Sequence, residues 1–495
     1  MRFGRTGAAV AALFLSFSVQ ALDRGALERL TSEDNDEKIA AIGALVSEGD
    51  PKAAEVLRSA AEGEIEIDGK KVEIVVNNRV RGRIAEALSV LKLLSADKNE
   101  RLEAAKALAG GADAGMLPVI RKAVSQESEA EIRSLLEITA AGMQLKSDDK
   151  PTRLAAIRAL AASDNKTLLL EAATDPDQDI RLEAQKSLRA IEGRLAWGEW
   201  LGLAFAGASL GSILLLAALG LAITYGLMGV INMAHGELIM IGAYTTYVVQ
   251  GFFRGAGVFD YYLVAAIPAS FVVAALVGMA LERSVIRWLY GRPLETLLAT
   301  WGISLVLIQG VRTIFGAQNV QVENPAFMSG GIPLLSNVVL PWSRIWIVVF
   351  AAGVLFLVYL LLSKTRLGLY IRGVTQNRDM AACVGVPTAR IDTWAFGLGS
   401  GIAGLAGCAL SQLGNVGPDL GQAYIVDSFL VVVFGGVGQL AGTVYAALVL
   451  GFANKLLESW SGAVLAKIAL LVFIIVFIQR RPQGLFALKG RAVEA

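Results

Sequence analysis
The sequence predicts an all-α fold: a polytopic helical membrane domain of about eight or nine spans, preceded by an exported α-solenoid with one small β-hairpin. Three observations carry this. The 495 residues are 55% hydrophobic and only 18% charged, with a mean hydropathy of +0.55, against roughly 25% charged in soluble proteins. The charge is uneven: 28 Lys/Arg and 32 Asp/Glu precede Trp197, and 17 and 12 follow from there on. Apolar runs of bilayer-spanning length recur throughout that second part. An ordinary soluble enzyme and a disordered chain are thereby excluded. A net charge of +1 gives no support to nucleic-acid binding. Cys383 and Cys408 both fall in the apolar part, so no disulfide framework is expected.

Arg2 and Arg5, the apolar stretch 8–19 and Val19-Gln20-Ala21 predict a secretory signal peptide over 1–21, cut after Ala21; an uncleaved anchor helix is the alternative. Residues 22–194 then form the exported domain. They repeat a pattern, Ile/Leu-x-Ala-x-x-small-Leu, at 39–45, 102–108, 154–160 and 182–188, with a weaker copy at 132–138. Asp/Asn/Pro breaks such as Asp175-Pro176-Asp177 separate the copies. The unit resembles short, Ala-rich HEAT repeats, which implies a helical-hairpin solenoid. Alternating Ile65, Ile67, Val72, Ile74 and Val76 about Asp68-Gly69 predict the hairpin. With no His, Cys or phosphate loop, this domain is expected to dock or support, not catalyse.

Residues 195–495 form the membrane domain. Its candidate spans are 201–225, 237–253, 262–281, 294–314, 345–363, 392–412, 425–440, 442–457 and 464–479. The segments 425–440 and 442–457 are short and Gly-rich, so they are expected to be broken or re-entrant, which leaves eight crossings or nine. An exported N-terminal domain with nine spans puts the C-terminus inside. Arg283, Arg287, Arg292, Lys364, Arg366, Arg372, Arg378, Arg390, Arg480 and Arg481 then fall on inner loops, as the positive-inside rule requires. Trp197 and Trp200 suit an interfacial anchor.

Polar residues among the apolar runs are the candidate functional groups. Asn232-Met233-Ala234-His235-Gly236-Glu237 is the most polar stretch between spans, and His235 is the only histidine. It reads either as a helix-start element on a pathway or as a structural polar turn. Thr300, Ser304, Gln309 and Gln412 are candidate lining residues, each equally a packing polar residue. Glu237, Glu295 and Asp427 are expected near span ends, at helix starts. On the inner loop 364–391, Asp379 to Val384 is expected to form a short helix capped by Asn377 or Asp379 and ended by Gly385. No Gly-x-x-x-x-Gly-Lys-Ser/Thr loop occurs, so ATP would have to be handled by another chain.

These motifs carry a resemblance. Residues 229–237, Gly-Val-Ile-Asn-Met-Ala-His-Gly-Glu, resemble the signature of branched-chain amino-acid-type ABC importer permeases. The stretch from Thr365-Arg366-Leu367-Gly368 to Gly385-Val386 resembles that family's cytoplasmic coupling loop, with Asp379-Met380-Ala381-Ala382 and Gly385 in place of its acidic-Ala-Ala core; Met380 departs from the simple pattern. Within the family, residues 291–302, the tail 481–491 and the long exported extension resemble the urea permease branch. The resemblance implies no enzyme activity and no cofactor in this chain. It implies one half of a pathway through the bacterial inner membrane, working by alternating access. The implied partners are a homologous second permease subunit, two ATPase subunits that use ATP, and a periplasmic binding protein. The implied solute is small and neutral: urea, or alternatively a short-chain amide or a branched-chain amino acid. A membrane-anchored receptor or scaffold is the reading from another class, disfavoured by the number of spans.

Overall fold
The computed structural model describes residues 24–47, 51–67, 70–109, 114–229 and 232–486. The expected signal peptide, the Asp68-Gly69 turn and the end of the tail lie outside the described residues. The chain divides into two compact units, Met1–Arg194 and Leu195–Ala495.

The first unit holds short helices: α1 (Arg24–Leu30), α2 (Asn35–Ser47), α3 (Pro51–Glu62), α4 (Asn78–Lys92), α5 (Lys98–Leu108), α6 (Leu117–Gln126), α7 (Ala130–Gln144), α8 (Lys150–Ala162) and α9 (Lys166–Ala172). An antiparallel hairpin of β1 (Glu64–Ile67) and β2 (Lys70–Glu73) lies between α3 and α4, with Ile65 opposite Val72. The breaks between helices are caps. Asn77, Asp97, Asp149 and Asn165 each accept a backbone N–H from the first turn of the helix that follows. In the four pattern copies, positions 3 and 7 are buried every time: Ala41 and Leu45, Ala104 and Leu108, Ala156 and Leu160, Ala184 and Leu188. Position 1 is not, and Leu182 is 54% exposed. At 100° per residue, positions 3, 4 and 7 make one stripe and position 1 lies roughly 110° from its centre. A second regularity links the turns. Arg101, Arg133, Arg153 and Arg181 each reach back to a backbone carbonyl of the preceding turn, at Ser95, Glu127, Leu145 and Asp175 respectively.

The helix α10 (Gln178–Met228) runs for 51 residues and contains the boundary between the units. The fourth pattern copy and the first span therefore belong to one helix. No proline interrupts 178–228, and Gly193 and Gly198 alone do not break it. The second unit continues with α11 (His235–Gly255), α12 (Tyr262–Ser284), α13 (Pro293–Phe315), α14 (Trp342–Lys364), α15 (Arg366–Gln376), α16 (Arg378–Cys383), α17 (Thr388–Ser411), α18 (Leu420–Gly435), α19 (Leu440–Ser461) and α20 (Ala463–Arg480). A hairpin absent from the sequence prediction, β3 (Gly331–Leu335) with β4 (Val338–Pro341), sits between α13 and α14.

Each of the nine predicted spans falls on a helix, but their lengths differ in kind. Among the described residues, seven helices are long and apolar enough to cross a bilayer: α10, α12, α13, α14, α17, α19 and α20. That is one or two fewer than the eight or nine expected. The helix α11 carries His235, Glu237, Gln250 and Arg254 within 21 residues. The apolar α18 has 16 residues, about 24 Å at 1.5 Å per residue, short of a 30 Å hydrocarbon core. The Gly435-Gly436 break is a tight reversal: α18 ends at Gly435, Gly436 has φ +104°, and α19 starts at Leu440.

The centre of this unit is α17, packed against α11 and α12 and buried along most of its length. Small residues make that possible. A Cβ added at Gly407 would sit 1.9 Å from the Ile239 carbonyl oxygen and 2.7 Å from the Ala243 nitrogen, so the two backbones are in contact.

Candidate functional site
The polar side chains of the second unit gather in three places. The first joins one set of helix ends. The Tyr262 hydroxyl lies 2.8 Å from the Glu323 carbonyl oxygen and 2.9 Å from Gln412 Oε1, and its single proton serves one of them at a time. Gln250 Nε2 donates to the same Glu323 carbonyl at 3.1 Å, and Val320 bridges to Val416. The end of α11, the start of α12 and the segments after α13 and α17 thus share one side. Gln412, a predicted lining residue, belongs here.

The second gathering is on the opposite ends. Glu282, at the end of α12, is buried and accepts from Thr393 Oγ1 at 2.7 Å, with Arg287 at 3.4 Å. Asp392, at the start of α17, is buried and pairs with Arg378, the first residue of α16. The Arg378 guanidinium lies 4.8 Å from the centre of the Tyr290 ring. Burial, then the Asp392 and Glu282 carboxylates, push the Tyr290 hydroxyl far above its usual range. The sequence reading missed this network. Its signal was a lone carboxylate, Glu282, closing an apolar run.

The α16 helix forms where expected. Of the two candidate caps, Asn377 is the one used: its Oδ1 accepts from Met380 N at 2.9 Å, and Gly385 follows with φ +87°. Asp379, Met380, Ala382 and Gly385 are exposed. Ala381 is not: it is buried with Ile371, Val374, Ile391 and Ala395. Four of the five loop residues thus face outward, and the fifth anchors α16 to α15 and α17.

The third gathering is deep in the bundle, where α11 begins. His235 is fully buried; its Nε2 lies 2.9 Å from the Ala217 carbonyl oxygen, which can only accept, so Nε2 carries the proton. Its neighbours are Gly220 and, through Gly220, Gly399, the middle of α17. So α11 starts level with the centre of α17, not at its end. Gly236 meets Gly421 of α18 backbone to backbone: a Cβ at Gly421 would sit 2.1 Å from the Gly236 carbonyl oxygen and 3.0 Å from the Glu237 nitrogen. Two helices therefore begin at one point within the bundle. Glu237 and Ser304 meet there, Ser304 Oγ donating to Glu237 Oε1 at 2.5 Å. Met233 N donates to Thr300 Oγ1 at 3.2 Å, and Asn232 Oδ1 accepts from Ala234 N at 3.0 Å.

Asn232, His235, Gly236, Glu237, Thr300 and Ser304 are thus brought together. Gln309 is not: it is exposed, and its carbonyl accepts from Thr313. Glu237 and Glu295 lie in first turns as expected. Asp427 does not. It lies in the middle of α18, 3.3 Å from Lys467 of α20, because the helix starts at Leu420, earlier than the apolar run suggested.

Apolar helices packed through small residues, with polar groups at an interrupted crossing, define a multi-pass membrane transport subunit. Residues 203–479 match the family described as branched-chain amino acid transport system / permease component, and the chain belongs to that family. It is a transport component and not an enzyme. The high-affinity branched-chain amino acid transport system permease protein LivH of Salmonella typhimurium is 28% identical over 291 residues, 57% of this chain and 93% of that protein. BraD of Pseudomonas aeruginosa, of the same description, is 28% identical over 287 residues, 56% and 93%. The ribose import permease protein RbsC of Escherichia coli is 27% identical over 201 residues, 38% and 60%. No solved structure matches. The family match begins at residue 203, so the first unit lies outside it.

Proposed function
We propose that the chain forms half of the pathway of an ATP-driven importer whose solute is urea. The observation that carries this is the third gathering: Asn232, Glu237, Thr300 and Ser304 supply hydrogen-bonding groups with no Lys or Arg ion pair to Glu237 among the described residues. A small neutral diamide needs donors and acceptors and no charge partner. The resemblance of residues 291–302 and of the tail to the urea branch supports the same solute. The second reading is a branched-chain amino acid, which the similarity to the branched-chain amino acid permeases LivH and BraD favours; a buried carboxylate beside helix starts suits a zwitterion.

The remaining parts follow from the resemblance. A second permease subunit completes the pathway, and a periplasmic protein delivers the solute. Two ATPases dock at the exposed residues Asp379, Met380, Ala382 and Gly385, so ATP is handled outside this chain. The Arg-rich ends with Glu282 and Asp392 face the cytoplasm, and the Tyr262 and Gln412 ends face the periplasm of the inner membrane. The first unit, after a cleaved leader, is a periplasmic HEAT-like solenoid over 22–194; the recurring arginine-to-carbonyl bonds support the repeat.

Uptake of labelled urea in cells with and without this chain tests the solute. Loss on deletion, with no competition by excess leucine, is expected. Unchanged urea uptake with lost leucine or acetamide uptake would replace urea by the competitor concerned.

A further inference from the structure
The crossing of α11 and α18 holds polar atoms that no described residue uses. Among the described residues, Asn232 Nδ2, His235 Nδ1 and Glu237 Oε2 have no hydrogen-bond partner, although Asn232 is 4%, His235 0% and Glu237 1% exposed. Buried polar atoms are almost always satisfied, so three orphans in one six-residue stretch need a reason. Each residue's other polar atom is engaged: Asn232 Oδ1 by Ala234, His235 Nε2 by Ala217, and Glu237 Oε1 by Ser304. The side chains are therefore held in place with one donor and two acceptors left over. Two helix starts converge on the same point through Gly236 and Gly421.

The point is also close to a face from which it can be opened. On α13, Thr300 and Ser304 are buried, while the adjacent Trp301 and Leu305 are exposed. On α18, Gly421 is buried, while Asp419 and Gln422 beside it are exposed. A modest shift of α13 or α18 would uncover the orphans.

We propose that this crossing is where the passing solute is recognised, Glu237 Oε2 accepting a solute N–H and Asn232 Nδ2 donating to its carbonyl oxygen. The ligand class is a small carboxamide with both groups, and the proposal rests on the neutral-solute reading above. Transporters of other architecture place solute at interrupted helices in this way, because irregular backbone at membrane depth survives only where it lines a cavity.

The test uses the complete reconstituted transporter in proteoliposomes, fed by the same solute-loaded binding protein throughout. Transport of urea and of N,N,N′,N′-tetramethylurea, which carries no N–H, is compared for the unmodified chain, Glu237→Gln and Asn232→Asp. Both substitutions keep the shape and the engaged oxygen while altering the orphan atom. Each is expected to lower urea transport about tenfold, the size of one hydrogen bond to a charged group. Glu237→Gln is also expected to narrow the preference for urea over the methylated solute, which a merely structural defect would not do. Unmodified rates in both variants, or equal loss for both solutes, would overturn the proposal. If one variant fails to fold, the other carries the test. If the unmodified transporter moves leucine and not urea, the solute reading fails instead, which the variants do not decide.

Discussion
The Arg378–Asp392 pair allows an ordering of three variants to be worked out. Asp392 is fully buried and Arg378 is 39% exposed. Arg378→Ala strands a buried carboxylate. Breaking a buried pair from one side costs about 3–5 kcal/mol, and the partial exposure of this one lowers that to about 2–3 kcal/mol. Asp392→Asn leaves a guanidinium that reaches water and still lies over Tyr290, so its cost is about 1 kcal/mol or less. The double variant buries no charge and should lie nearer to Asp392→Asn than to Arg378→Ala. Equilibrium unfolding of the whole chain in mixed micelles, with the four proteins side by side, gives the order. Arg378→Ala no less stable than Asp392→Asn, or a double variant equal to the sum of the singles, would refute the argument. Because Arg378 opens α16 and Asp392 is the fifth residue of α17, the same variants should, on the proposed docking of ATPases at α16, weaken the link between ATP hydrolysis and transport.

Further outcomes follow from other contacts. In the first unit, the Arg101 guanidinium holds the Glu127 carboxyl below its usual range; a depressed native value contributes stability above the unfolded value, about 4.3, that is lost as pH falls through the native one. Glu127→Gln should therefore flatten the weakening of this unit between about pH 5 and pH 3, measured by unfolding at each pH. Gly407→Ala drives a Cβ into the backbone of α11 and should cost at least about 1–3 kcal/mol, whereas Gly302→Ala, with nothing within 4 Å, should leave the yield of monodisperse protein unchanged. Gly436→Ala meets both a φ of +104° and the Phe486 carbonyl oxygen, costing about 1–3 kcal/mol from the backbone alone, and limited proteolysis should then cut near 481–486.

Local signals carried most of the helices. Asp and Asn at the breaks became caps, and Asn377 with Gly385 bounded α16 as their chemistry requires. Contacts between distant residues were not legible. Glu282 and Thr393 are 111 positions apart, and no period links them. Partial information was available for the candidate lining residues. Thr296, Thr300 and Ser304 recur every four residues and are all buried on one face of α13, while Gln309 lies roughly 140° round from Ser304. Applying that period would have kept Ser304 and set Gln309 aside. The starting level of α11 was hidden for another reason: a hydropathy window reports apolar length, not where along its neighbours a helix begins.

The reversal between α18 and α19 carries a consequence for biosynthesis. Its last carbonyls are not satisfied by the two helices it joins: Leu485 N donates to Phe434 O at 2.9 Å, and Phe486 N to Gly435 O at 3.3 Å. Gly484 packs on Gly436 from the same segment. A ribosome makes these residues only after α20, which ends at Arg480. Membrane insertion can therefore deliver α18 and α19 early, but their turn closes late, as a final clasp. Between those moments the partly made bundle depends on whatever insertion machinery or chaperone shields that open end.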